Sequence, residues 1–159
     1  MDRLRPQLAE SVELIIKENA AVADGGATIG ENRNEALADA IGDYVCFVDD
    51  DDLVSEDYVA RILAAIETCP DVVGLTGHYI CGANKPELFV HSIRYKEWLT
   101  VDGVHQRMPN HINAIRRDLV MQVKYPPKNH GEDFDFSMSV APLLKTEVMP
   151  EEILYYYIK

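Results

Sequence analysis

At 159 residues the chain can bury about one sizeable core and not two. Its net charge of −12 excludes a nucleic-acid backbone or an anionic lipid surface as the main partner, and no apolar run approaches the ~20 residues of a membrane span. Met1 to Glu10 is polar and charged, unlike a signal peptide, so the expectation is one domain over residues 1–159 in the cytoplasm.

Arg3 to Glu10 reads as a short helix and Val12 to Ile16 as a strand. After a polar loop, Thr28-Ile29-Gly30-Glu31 fits a capping box, in which the Thr28 hydroxyl closes one backbone amide and Glu31 reaches back. A helix should follow, with Ala36, Leu37, Ala40 and Ile41 as its apolar stripe and Gly42-Asp43 as its end. Tyr44 to Val48 is an apolar run that predicts a buried strand. Ser55 resembles the N-cap of a further helix that turns Tyr58, Val59, Ile62, Leu63 and Ile66 inward and stops near Pro70. Val72 to Thr76 predicts a third strand, so the first half alternates strand and helix like a parallel α/β sheet. Beyond it come extended pieces at 88–93 and 111–115, a short helix at 117–123, a helix after Gly131 and a closing strand at Ile153 to Ile158. Cys46, Cys69 and Cys81 form no C-x-x-C pair and read as buried free thiols.

The chemistry concentrates in two acidic rows. Asp49 to Asp52 follow the apolar strand directly, and neighbouring carboxylates at ~4 Å repel by about 1 kcal/mol per pair even in water. In an extended segment Asp49 and Asp51 would share one face and Asp50 and Asp52 the other, so one pair could grip a divalent cation. An EF-hand is excluded, because counting from Asp49 the sixth position is Val54 and the twelfth Ala60. Zinc has little support, since His78-x-x-Cys81 lacks a second ligand pair, and neither a phosphate loop nor a serine-hydrolase elbow is present. The second row, Glu132-Asp133-Phe134-Asp135 after Gly131, is either helix capping or a source of a proton acceptor for an attacking hydroxyl.

Four segments in order carry a resemblance. Gly30-Glu31-Asn32-Arg33-Asn34-Glu35-Ala36-Leu37, then Gly42-Asp43-Tyr44 leading through the strand to Asp49-Asp50-Asp51-Asp52, then Asn110 to Arg117, then Gly131-Glu132-Asp133 resemble family 2 glycosyltransferases of the GT-A fold. The resemblance implies a three-layer α/β/α domain, Rossmann-like with a mostly parallel sheet. It implies inverting transfer of a sugar from a nucleotide-diphosphate sugar donor to a glycan or other acceptor hydroxyl, with Mn²⁺ or Mg²⁺ as cofactor. Asp49 and Asp51 match the family's D-x-D pair, Asp51 as the direct metal ligand and Asp49 nearer the ribose or a metal-bound water, with Asp50 beside them on the donor. Asp133 matches the catalytic base and Glu132 its orienting partner. Arg33 would approach the donor, and His111 and His130 are further candidates for metal or phosphate contact. Tyr79 to Arg107 would form the acceptor side, with Trp98 and Tyr95 as stacking platforms.

The family's usual opening strand, often of the type VSVIIPTYN, is not found ahead of these segments, and a homo-oligomer or partner is one way to complete the sheet. Two other readings stay open: a catalytically silent nucleotide- or metal-binding module, and a haloacid-dehalogenase-like phosphatase, which also places D-x-D after an apolar strand.

Overall fold

The computed structural model describes residues 3–17 and 26–159. Its first regular piece is a single 3₁₀ turn, Arg5–Gln7, instead of the helix expected over Arg3 to Glu10. Pro6 sits inside the turn and Leu8 is already extended. Val12 to Ile16 is not a strand either. The segment lies against the core through Val12 and Leu14, and Glu13 accepts the amides of Ile41 at 2.7 Å and Gly42 at 2.8 Å.

Helix α1 spans Ile29–Asp39 and begins with the expected capping box: Thr28 Oγ1 accepts from the Glu31 amide, and Glu31 accepts from the Thr28 amide. Ala36, Leu37 and Ala40 are buried as expected, but Ile41 is 84% exposed because the helix has ended and the chain turns outward. Strand β1 is only Tyr44–Val45, shorter than the run that predicted it. Strand β2, Leu53–Val54, follows the acidic row, and α2 spans Tyr58–Ile66. Ser55 does not cap α2. Its hydroxyl goes to Asp57, while Gln7 from the N-terminal turn accepts the Val59 amide at 3.0 Å and does the capping from outside.

The run at Val72 to Thr76 divides at Gly74 into β3, Val72–Val73, and β4, Leu75–Ile80, which belong to different sheets. Strands β5 (Glu87–His91), β6 (Leu99–Val101), β7 (Val104–Arg107) and β8 (Ile115–Arg116) follow. Then come α3 (Arg117–Val120), α4 (Glu132–Val140), β9 (Glu147–Val148) and β10 (Ile153–Ile158). One sheet runs β1-β8-β3-β9 and the other β2-β10-β4-β5-β7-β6. Among the described residues only β3 with β9, β4 with β10 and β5 with β7 pair in parallel, so the sheets are mixed where a mostly parallel one was expected.

Adjacent residues of β3 explain the layering. Val72 and Val73 are both fully buried, but alternation sends them to opposite faces. Val73 joins α2 (Val59, Ile62) with Leu75, Phe89 and Leu154, whereas Val72 joins Leu37 of α1, Leu119 and Val120 of α3, and Phe136 and Val140 of α4. Helices therefore cover the central strands on both sides, the α/β/α order expected. All three cysteines are free and exposed as residues, against expectation, although the Cys46 sulfur lies 3.6 Å from the Tyr58 hydroxyl.

Candidate active site

The acidic row is a turn, not an extended strand end. The Asp52 amide donates to the Asp49 carbonyl at 3.2 Å, so the alternating faces expected of an extended segment do not form. Asp49 and Asp52 are anchored inward, and Asp50 and Asp51 stand exposed. Asp52 is 2% exposed; one carboxylate oxygen accepts from the Tyr155 hydroxyl at 2.7 Å and the other from the Ile158 amide at 2.9 Å. Burial pushes the Asp52 carboxyl above the usual range, with the Ile158 amide and the Tyr155 hydroxyl pulling the other way.

Asp49 meets an arginine and a histidine. Arg33 Nη2 donates to it at 3.0 Å, and His111 Nε2 lies 3.3 Å from its other oxygen. Burial works to raise its pKa, but His111 and Arg33 outweigh that and hold the Asp49 carboxyl well below the usual carboxylate range. The second arm of Arg33, Nη1, donates to Glu132 Oε1 at 2.5 Å. The guanidinium lies near the Phe47 ring on one side (5.7 Å to the centroid) and the Tyr125 ring on the other (5.6 Å). Arg33 and Glu132 are both buried, so this single side chain ties the two acidic rows together across 99 residues of sequence.

Local packing aims Arg33 there. A Cβ on Gly30 would run into the Pro126 carbonyl, so only glycine lets the first turn of α1 sit against the loop that leads to α4. The Ile29 amide donates to Asn129 Oδ1 at 2.9 Å and the Gly30 amide to the Lys128 carbonyl at 3.3 Å. Gly131, at φ 72°, then turns the chain into α4 in the left-handed region that glycine favours.

Glu132 faces inward to Arg33, while the next residue, Asp133, lines an open cleft of about 520 Å³. Tyr79, His91, Trp98, Arg107 and His111 share this cleft, so His111 touches both Asp49 and the space in front of Asp133. The Arg107 guanidinium covers the Trp98 ring at 5.3 Å, and Phe134 meets that ring edge-on at 5.2 Å. Of the two expected stacking residues, Trp98 is in the cleft; Tyr95 is held under Arg94 away from it. His130 is exposed and does not line the cleft.

Among the described residues, no three carboxylate, histidine or cysteine side chains gather to hold a metal ion. Asp49 and His111 meet, but Asp51 stands apart from them in the open. This donor set still fits a hard divalent cation, since Mg²⁺ is ordinarily held by one or two carboxylates plus substrate phosphates rather than by an all-protein cage. Sequence reading gave no role to Tyr155, nor to Asn110 and Asn113 within the Asn110 to Arg117 segment. Asn113 Oδ1 accepts from the Asn110 amide at 3.0 Å and lies 3.0 Å from His91 Nδ1, fixing the turn that presents His111.

An acidic turn, an arginine on α1 that bridges it to a second acidic row, and a cleft lined by Asp133 of that row thus lie together in one α/β/α domain. The chain belongs to glycosyl transferase family 2, whose family model matches residues 22–130. Its fold is similar to that of Staphylococcus aureus TarS residues 1–349 in complex with UDP-GlcNAc, with a TM-score of 0.63 at 22% identity, covering 84% of this chain and 39% of that one. The same protein in complex with UDP gives a TM-score of 0.62 at 22% identity, covering 83% and 40%. The chain thus spans about two fifths of the length of these structures, and at such identity the likeness is one of fold. No curated protein matches the sequence.

Proposed function

We propose that this chain is a metal-dependent, inverting glycosyltransferase that moves a sugar from a nucleotide-diphosphate sugar to an acceptor hydroxyl. The observation that carries the reading is the Arg33 bridge, which ties the acidic turn to the start of α4, beside a cleft lined by Asp133 and by His111, the neighbour of Asp49. Donor diphosphate at Asp50 and Asp51 and acceptor in front of Asp133 would then meet at one reacting carbon. Asp133 takes the proton from the acceptor hydroxyl as its oxygen bonds to the anomeric carbon, and the bond to the diphosphate breaks on the opposite face, which inverts the centre. Glu132, held by Arg33, orients the first turn of α4 and with it Asp133. Asp51, with Asp49 behind it, would hold Mn²⁺ or Mg²⁺, whose positive charge stabilises the departing diphosphate. Trp98 and Tyr79 line the cleft in which the acceptor would sit. The UDP-GlcNAc bound by TarS supports a nucleotide-sugar donor, and family membership disfavours the phosphatase alternative.

The direct test is a thermal-shift titration with UDP, GDP, CDP and dTDP, each with and without Mn²⁺. A ligand that binds only the folded state stabilises it by about 2.7 kcal/mol at a hundredfold excess over Kd. A shift with one nucleotide that depends on Mn²⁺ is expected. Metal-dependent binding with no turnover on any donor would instead favour the catalytically silent module, and no shift with any nucleotide would defeat both.

A further inference from the structure

Four adjacent carboxylates do not hold a turn by themselves, because their mutual repulsion opens it. The basic side chains of the site act at one end only: Arg33 and His111 both reach Asp49. The other end, Asp52, is buried and held by neutral donors alone, the Tyr155 hydroxyl and the Ile158 amide. One atom spans the whole turn. The Tyr155 oxygen donates its proton to Asp52 Oδ2 at 2.7 Å and accepts the Asp49 amide at 3.3 Å, touching the first and the last member of the row.

The anchor is rigid. Tyr155 is fully buried in β10, which is paired on both sides: antiparallel with β2, opposite Val54, and parallel with β4, opposite Gly77. At Gly77 any Cβ would lie 2.5 Å from the Tyr155 carbonyl, so glycine there lets the two strands close up around it. Strand β10 also lies outside residues 22–130, the segment that matches the family.

We propose that Tyr155 is a positioning residue for donor binding: its hydroxyl pins both ends of the Asp49–Asp52 turn, so that Asp50 and Asp51 project together toward a nucleoside diphosphate and its divalent cation. The proposal rests on the transferase reading above. Tyr155 touches no ligand in this scheme. It acts through the direction in which Asp50 and Asp51 point.

The test is calorimetric titration of UDP into the wild-type protein and Tyr155→Phe, with Mn²⁺ and with EDTA. Phenylalanine fills the same volume and removes only the hydroxyl. The expected result is an unchanged affinity in EDTA and a loss of about tenfold in the enhancement that Mn²⁺ gives, the size typical for an outer partner of a metal site. Faster hydrogen exchange at the Asp49 amide, in the absence of ligand and metal, should accompany it. A purely structural tyrosine would lower the melting temperature and leave the Mn²⁺ enhancement intact, which overturns the proposal. If Tyr155→Phe does not fold, Asp52→Asn carries the same expectation, and an undiminished enhancement there overturns it equally. A wild-type protein that binds none of UDP, GDP, CDP and dTDP more tightly with Mn²⁺ defeats the transferase reading along with this one. A wild type that responds beside a variant that responds equally defeats the positioning role alone.

Discussion

The acidic turn and the first turn of α4 are both rows of carboxylates, yet they are held by opposite means. At the turn the buried member, Asp52, is satisfied by neutral donors, while the half-buried Asp49 takes the Arg33 cation. At α4 the buried member, Glu132, takes the cation, while Asp133 beside it faces the cleft. The difference teaches which acids are free to act. In each row the inward residue is consumed by structure, and the outward one stays open, Asp51 to solvent and Asp133 to the cleft. The two rows are rigid relative to each other because one guanidinium serves both.

The sharpest way to break the comparison is to disable the outward acid of one row and leave the other. Asp133→Asn should lower kcat by about 10²- to 10⁴-fold, the usual worth of a general base, with Mn²⁺-dependent UDP affinity near that of the wild type. Asp51→Ala should do the reverse and remove the metal-dependent part of donor binding. Transfer at the wild-type rate by Asp133→Asn would show that the base lies elsewhere.

Next in size is the bridge. Arg33→Met keeps the length and apolar stem but leaves Glu132 buried without a cation and Asp49 with His111 alone. Removing one partner of a buried ion pair ordinarily costs 3 to 5 kcal/mol, because the remaining charge is stranded. Urea denaturation should register a loss on the order of 3 kcal/mol, and a double variant with Glu132→Gln should recover part of it. If Arg33→Met is as stable as the wild type, the two rows are not coupled through this side chain.

A smaller effect separates the two anchored ends of the acidic turn by pH. The Asp49 carboxyl is lowered in the folded state, so its stabilisation is fully present above the ordinary carboxylate pKa of ~4 and is lost as pH falls through the folded value. The Asp52 carboxyl is raised, so its ionisation weakens the fold as pH rises through the carboxylate range, and acid relieves it. Denaturation at pH 7 and pH 3 should therefore show Asp49→Asn costing more at pH 7 than at pH 3. For Asp52→Asn the cost should be the smaller of the two at pH 7. Parallel pH dependence of the two variants would contradict the opposite environments assigned to them.

How much of this was legible in sequence follows from the range of each interaction. The capping box at Thr28 and Glu31 uses residues three apart and was read correctly, as was β10, whose apolar run matches its ladder. The Asp102-Gly103 pair was a legible signal that went unused. Both residues have positive φ, 50° and 78°, and they turn β6 into β7 as a two-residue hairpin. Val12 to Ile16 misled because apolar residues with β propensity still need a partner strand, and here the segment is held by Glu13 instead. Both acidic rows could be read as charge without an evident counterion. Their junction could not: Arg33 meets Glu132 at a separation of 99 residues, and Tyr155 meets Asp52 at 103. The remaining clue to Tyr155 was that a tyrosine in a core strand must find a partner for its hydroxyl.

The smallest expected effect compares one outer member of each row. Asp135 lies in the first turn of α4, where the helix dipole favours a negative charge, and it pairs with Lys128 at 2.5 Å on the surface. Asp50 is exposed in a turn, with carboxylates on either side. Neutralising each to asparagine therefore acts in opposite directions. Asp135→Asn should cost about 0.3 to 1 kcal/mol and cost less in high salt, since both the dipole and the surface pair are screened. Asp50→Asn removes a repulsive neighbour of Asp49 and Asp51, so its effect on stability should lie within about 0.5 kcal/mol of zero and lean toward stabilisation at low salt. Urea denaturation of both variants at low and high salt reads this directly. A substantial loss from Asp50→Asn would mean that the acidic turn uses this carboxylate as an anchor in place of presenting it to solvent and ligand.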